Sequence, residues 1–286
     1  MKRSEPRHAG SFHEFPLVLF TALTIGGAGL AGAWFLAALI GWVPLVPPPR
    51  VLSLVTALLA VGFLISVAHL GRRSRGHLAL IRVGRSPLSN EVLLVALALL
   101  FSGAGTVLAG DTVLYGPLSV AGLAFAFLLL PTLGSVYKLP GQLSWTGSSL
   151  IQPLVLGLEI GFTFLLRELP EGALARGELM VLVVLMVDGL VVWERTRRLG
   201  LAVKRGLPVH PGILRQRGAL FSLRLLLGVL IPASALLWGW RELALLGLSM
   251  NLLLDRVLFY GLAIRETTEA GLMRVSSVLE TESKTP

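Results

Sequence analysis

The chain has 286 residues, 54% of them hydrophobic and 14% charged, with a mean hydropathy of +0.79. A soluble domain is nearer a quarter charged, and runs of roughly 20 apolar residues, each enough to cross a bilayer as a helix, recur along the sequence. The runs do not alternate in polarity, which excludes a membrane β-barrel. The absence of Cys excludes disulfides, Cys-ligated zinc and iron–sulfur clusters within the chain. The net charge of +9 reads as the basic loops of a membrane protein rather than as a nucleic-acid surface.

The sequence predicts an all-α, polytopic membrane helix bundle with eight transmembrane helices, at about 15–42, 51–70, 91–110, 114–134, 149–166, 178–193, 219–240 and 242–264. The first run is longer than the apolar core of a signal peptide and is read as a span. Connections after spans 1, 3, 5 and 7 are short, and those after spans 2, 4 and 6 are longer. The organisation is an N-terminal cytoplasmic segment 1–14, a transmembrane domain 15–264 and a polar tail 265–286.

Lys and Arg crowd the N-terminus, the 2–3 loop, the 6–7 loop and the C-terminal tail. The other face carries Arg50, Arg167, Arg176 and Arg241. Both termini are therefore expected in the cytoplasm. An up-down path also brings His13, Glu14, His69, Glu91, Tyr137, Trp145, Arg224 and Tyr260 toward the basic face. The opposite face offers little beyond Asp111 and the Arg167–Glu178 loop.

The densest stretch runs from His69 to Glu91. A His closes the second apolar run and an acid opens the third, with Arg72, Arg73, Arg75, Arg82 and Arg85 between them. A base and an acid at one membrane face suit proton transfer. Ser89-Asn90-Glu91 also reads as a helix start, with a cap and an acid in the first turn. The arginines interleave with Leu78, Leu80, Ile81 and Val83, a pattern that fits either anionic lipid headgroups or an acidic partner. None of the five His (His8, His13, His69, His77, His210) lies mid-span, so no haem is expected. Glu159, Asp188, Arg224, Asp255 and Arg256 fall within spans. Such groups face the bundle interior, and the simplest reading is interhelical pairing of Arg224 or Arg256 with a carboxylate. A proton path is the alternative.

Five stretches together resemble the membrane anchor subunit of dimethyl sulfoxide reductase, an eight-helix family. They are Phe12-His-Glu-Phe-Pro-Leu-Val-Leu-Phe-Thr21, the His69–Glu91 loop, Val136-Tyr137 with Trp145, Ser222-Leu-Arg224 and Arg256-Val-Leu-Phe-Tyr-Gly261. The loop is the specific part, through His-Leu-Gly, Arg75, Arg82-Val-Gly and Leu-Ser-Asn-Glu. The resemblance implies a subunit that is not catalytic alone. It would anchor an iron–sulfur electron-transfer subunit and a molybdopterin catalytic subunit in the prokaryotic cytoplasmic membrane. It would oxidise menaquinol or ubiquinol as bound substrate. By position, His69 and Glu91 are the quinol-site residues, with Arg75, Tyr137 and Arg256 as further members. Leu252 stands where family members often carry Glu, with Asp255 nearby.

The family's best-known enzyme works outside the cytoplasm, whereas the basic loops here point inward. A quinone-reducing anchor of a cytoplasmic sulfite dehydrogenase-like complex is therefore a second reading. A secondary transporter coupled through Glu159, Asp188, Asp255 and Arg256 is a third, and a passive scaffold is a fourth. No matched halves of the kind transporters carry are visible.

Overall fold

A computed structural model describes residues 15–69, 83–111, 113–136, 148–204, 218–219 and 221–260. The segments 1–14 and 265–286 lie outside the described residues. Those described form helices and turns, with no strand among them. The helices are α1 (Phe15–Leu39), α2 (Pro49–His69), α3 (Pro87–Val107), α4 (Tyr115–Val136), α5 (Ser148–Leu165) and α6 (Glu171–Lys204), then α7 (Phe221–Leu237) and α8 (Arg241–Tyr260). Helices α1, α2, α3, α4 and α8 are long and apolar enough to cross a membrane, while α5 and α7 are shorter apolar helices. The turns joining α1 to α2, α3 to α4, α5 to α6 and α7 to α8 are short, as the sequence predicts.

Helix α1 is the hub and packs against α2, α4 and α5. Its middle, Gly26-Gly-Ala-Gly-Leu-Ala-Gly-Ala33, is buried throughout. Lipid tails are as apolar as Leu, so membrane helices associate through close backbone approach at small residues. At the α1–α5 crossing a Cβ on Gly29 would fall on the carbonyl of Gly157, and one on Gly161 would fall on the carbonyl of Gly29. The same device joins α3 to α4, where Gly122 lies against the backbone of Ser102. Helix α2 is tied to α3 by a hydrogen bond from Thr56 Oγ1 to Ser102 Oγ (2.9 Å).

Two boundaries differ from expectation. Helix α3 begins at Pro87, with Ser86 as N-cap and Pro in the first turn. Pro favours this position because its missing N–H would be unpaired there anyway. Glu91 therefore sits a turn inside the helix and is not its capping acid. Asn90 instead turns back, its Oδ1 accepting from the Gly84 amide at 2.7 Å. Helix α6 has 34 residues, about 51 Å at 1.5 Å per residue. It overruns the predicted 178–193 at both ends, and Arg195 and Arg197, expected in a loop, are helical.

Helix α7 contains a π-turn, Leu226–Leu230, directly before Ile231-Pro232. Pro cannot donate to the helical ladder, and a π-turn is one way a helix accommodates such a break. Gly228 of this turn lies against the Asn251 side chain on α8.

Ion pairs close the face opposite the basic loops. Arg50 meets Glu168 at 2.5 Å, Arg241 meets Glu178 at 3.1 Å, and Arg167 pairs with Glu242. Three of the four arginines on that face are thus matched by carboxylates, which sharpens the charge difference between the two faces.

Candidate functional site

Among the described residues, two places within the bundle hold buried ionisable side chains. The larger is a cluster between α5, α6, α7 and α8. Asp255 on α8 is its centre and is fully buried. Its Oδ1 accepts from Gln152 Nε2 on α5 and lies 3.0 Å from Arg224 Nη1 on α7 and 3.6 Å from Arg195 Nη1 on α6. Its Oδ2 accepts from Arg256 Nε at 2.9 Å. Arg224 Nη2 also donates to Asp188 Oδ1 on α6 at 2.8 Å, and Arg195 Nη1 donates to Gln152 Oε1 at 3.1 Å. Three guanidinium groups thus converge on one carboxylate, with Asp188 holding the far side of Arg224.

The outer end of this cluster is aromatic. The Phe259 ring lies 4.8 Å from the Arg256 guanidinium carbon and 5.9 Å from that of Arg195. Its neighbour Tyr260 stands edge-on to it at 5.3 Å, and both rings pack with Val18 at the start of α1. A ring face attracts a cation best when desolvated, so these contacts hold the arginines while shielding them.

The pairing of Arg224 and Arg256 with carboxylates is as expected from the sequence. Arg195 and Gln152 are additions that sequence reasoning missed. A helical signal was present for both: Gln152 precedes Glu159 by seven residues and Arg195 follows Asp188 by seven, which places each pair on one helix face.

The smaller place is at the start of α3, which packs against α2 and α4. Glu91 is only 3% exposed, and its Oε1 has no hydrogen-bond partner among the described residues. His69 is the last residue of α2, at the same membrane face as the start of α3, but its side chain lies outside the described residues. Arg75 and Tyr137 also lie outside them. Arg256 belongs to the larger cluster, and among the described residues it shares no hydrogen bond or ion pair with Glu91. The described part of the expected quinol site is therefore split between α3 and α8. Among the described residues no group of three or more His, Asp or Glu is arranged to hold a metal ion.

Comparison with known proteins bears on the first of these helices. The family profile described as DMSO reductase anchor subunit (DmsC) matches residues 8–121. The sequence is also 28% identical to the C subunit of the anaerobic dimethyl sulfoxide reductase of Escherichia coli (strain K12), over 88% of this protein and 95% of that subunit. The resemblance read from the sequence is thus found independently along most of the chain. The profile match takes in His69, Arg75 and Glu91 and ends before Tyr137 and Arg256.

Proposed function

We propose that this chain, a membrane protein similar to the DMSO reductase anchor subunit, anchors a molybdopterin oxidoreductase complex and exchanges electrons between the quinone pool and an iron–sulfur partner subunit. All eight helices cross the bilayer in this reading. Helices α5 and α7 are short, and α6 carries charge, because they bury the polar cluster between them. Both termini then face the cytoplasm, in keeping with the basic face and the neutralised opposite one.

The observation that carries the reading is Glu91. It is a buried carboxylate, one turn into α3, with an oxygen unmatched among the described residues, and α3 packs against the helix that His69 ends. It lies inside the segment that matches the anchor family. A buried polar group without a protein partner is costly, and a quinol hydroxyl is a donor of suitable size and chemistry. Menaquinol or ubiquinol would enter between helices at the basic face. His69 accepts a hydrogen bond and then a proton from one quinol hydroxyl, a role that suits an imidazole. Glu91 orients His69 or receives the second hydroxyl, and Arg75, Tyr137 and Arg256 stand at the rim. Electrons leave singly to the partner's cluster.

The test is His69→Ala in the complex purified from its native host. Molybdenum, iron and two further subunits should copurify as with the wild type, while quinol-dependent turnover is lost. Turnover at the wild-type rate would refute the site. Purified protein without metals or partners would refute the anchor. A second reading, quinone reduction by a cytoplasmic complex, is favoured by the charge asymmetry. It predicts that the same substitution blocks quinone reduction instead.

A further inference from the structure

Helix α6 outruns the bilayer. Its 34 residues form one unbroken helix without Pro from Glu171 to Lys204, about 51 Å long, against about 40–45 Å for a whole bilayer with its headgroups. Its edge at the face opposite the basic loops is marked by Glu178, which meets Arg241 at 3.1 Å. Trp193, 68% exposed, stands near the other edge, where aromatic rings settle. From Glu194 to Lys204 the helix rises about 16 Å. Even with about 20 residues counted from Glu178 for the hydrocarbon core, the part beyond Arg197 rises about 10 Å. A headgroup layer is about 5–7 Å deep on each side, so the end of α6 stands above the lipid. A tilt of about 20° shortens these rises by only about a twentieth.

What the helix carries there is basic. Arg197 is exposed and paired with Glu194 at 2.7 Å within the helix, and Arg198 and Lys204 follow. Arg197 and Lys204 are seven residues apart and share a face, while Leu199, Ala202 and Val203 fall on the other. No Asp or Glu occurs from Arg195 to Arg241, so the segment that follows cannot balance this charge. The opposite membrane face is built otherwise, with Arg50, Arg167 and Arg241 each matched to a carboxylate. Anionic lipid serves basic residues at headgroup depth, but it does not reach a helix end above that layer. Basic charge that stands clear of the lipid, with no acid in its own segment, is suited to the acidic surface of a soluble protein.

We propose that the end of α6, from Glu194 to Lys204, is a docking post for an acidic face of the soluble part of the complex. The proposal rests on the anchor reading, because the partner is a subunit of that complex. It adds the element that receives the partner and the sign of the partner's surface. Neither His69 nor Glu91 belongs to α6, so the post holds the partner without contributing a residue to the quinol site.

Carbodiimide coupling of the complex purified from its native host, which joins an amine directly to a carboxylate, tests this. Lys204 should link to an Asp or Glu of a copurifying soluble subunit, identified by mass spectrometry of the joined peptides. Lys2, Lys138 and Lys284 belong to other segments, so the link can be assigned. Lys204→Arg should abolish the link and keep the complex. Arg198→Glu combined with Lys204→Glu should release the soluble subunits at several-fold lower salt than the wild type, since attraction between exposed charges is screened. Arg176→Glu at the opposite face should not. Three outcomes would overturn the post and leave the anchor reading standing: subunits that copurify with no link from Lys204, a link only to this chain's own carboxylates, or a double variant that loses anionic lipid but keeps its subunits. Wild-type protein that brings no subunit with it would overturn both. The wild-type link is read whether or not a variant folds.

Discussion

Replacing Asp255 with Asn tests whether the charge cluster holds α5–α8 together. The change preserves volume and one carbonyl oxygen, so the packing around Gly228 and Asn251 is untouched. What is lost is the negative charge shared by Arg195, Arg224 and Arg256, at 3.6, 3.0 and 2.9 Å. Were only side-chain hydrogen bonds at stake, two bonds at about 0.6 kcal/mol each in a membrane protein would set a loss near 1 kcal/mol. Removing one partner of a buried ion pair costs about 3–5 kcal/mol, because the remaining charge is left uncompensated. Here Arg224 keeps Asp188, but Arg256 loses the carboxylate bonded to its Nε. The expected loss is therefore about 3–5 kcal/mol. Reversible unfolding in mixed detergent and dodecyl sulfate micelles, followed by tryptophan fluorescence, measures it. Asp188→Asn should cost less, since Arg224 retains Asp255. A loss within about 1 kcal/mol of wild type for Asp255→Asn would mean that hydrogen bonds alone account for the cluster.

Two further predictions concern other parts of the bundle. Gly29→Ala places a methyl on the carbonyl of Gly157 and should destabilise by about 1–3 kcal/mol. Gly26→Ala, with nothing within 4 Å of the new Cβ, should be neutral or stabilise by up to about 1 kcal/mol; equal effects in the same micelle assay would refute the α1–α5 crossing. Asp111, in the turn before α4, accepts from the amides of Leu114 and Val113 at 2.9 and 2.8 Å, and these bonds hold its carboxyl below the usual range. Its contribution is present above the ordinary carboxylate value of about 3.9 and is lost as pH falls through the lowered folded value. The acid limb of the stability profile should therefore flatten in Asp111→Ala, and an unchanged slope would refute the assignment.

Helix existence is legible in the sequence because each apolar run is dominated by hydrophobic residues with few or no charges inside it, and the short alternate turns follow from the spacing between runs. Expectation and structure part where two local signals compete. Ser89-Asn90-Glu91 has the residue types of a helix start, but Ser86-Pro87 has them too and lies earlier. Once Pro87 opens the helix, Asn90 is free to bond the Gly84 amide, and Glu91 is carried one turn into the interior. At the end of α6, Arg195 reads as a loop arginine because charge marks the membrane edge in a sequence. In the structure it is 2% exposed, since Gln152 and Asp255 meet it from α5 and α8. Gln152 escapes because a reading that looks for ionisable residues inside apolar runs passes over a neutral amide. His69, Arg75 and Tyr137 are read from the sequence and its resemblance, with Glu91 the member whose burial the structure describes.

The placement of α1 explains how one small bundle keeps two polar places apart. Its glycine-rich middle lets α5 approach so closely that no side chain fits between their backbones at Gly29 and Gly157. That contact fixes α5, and with it Gln152 and Glu159, on one side of α1. Helix α2, which ends in His69, packs against α1 as well, and Gly62 on α2 comes close to Thr24 and the Phe20 carbonyl of α1. The start of α1 meets the end of α8 through Val18 against Phe259 and Tyr260. A change that tilts α1 would therefore disturb the α2–α3 junction and the Phe259 contact with Arg256 together, whereas a change within the charge cluster leaves the α2–α3 junction in place. If the proposed quinol site is in place, Gly29→Ala should accordingly lower both quinol-dependent turnover of the complex and stability, and Asp255→Asn should lower stability more than turnover in the folded fraction. The reverse pattern would mean that α1 does not couple the two places.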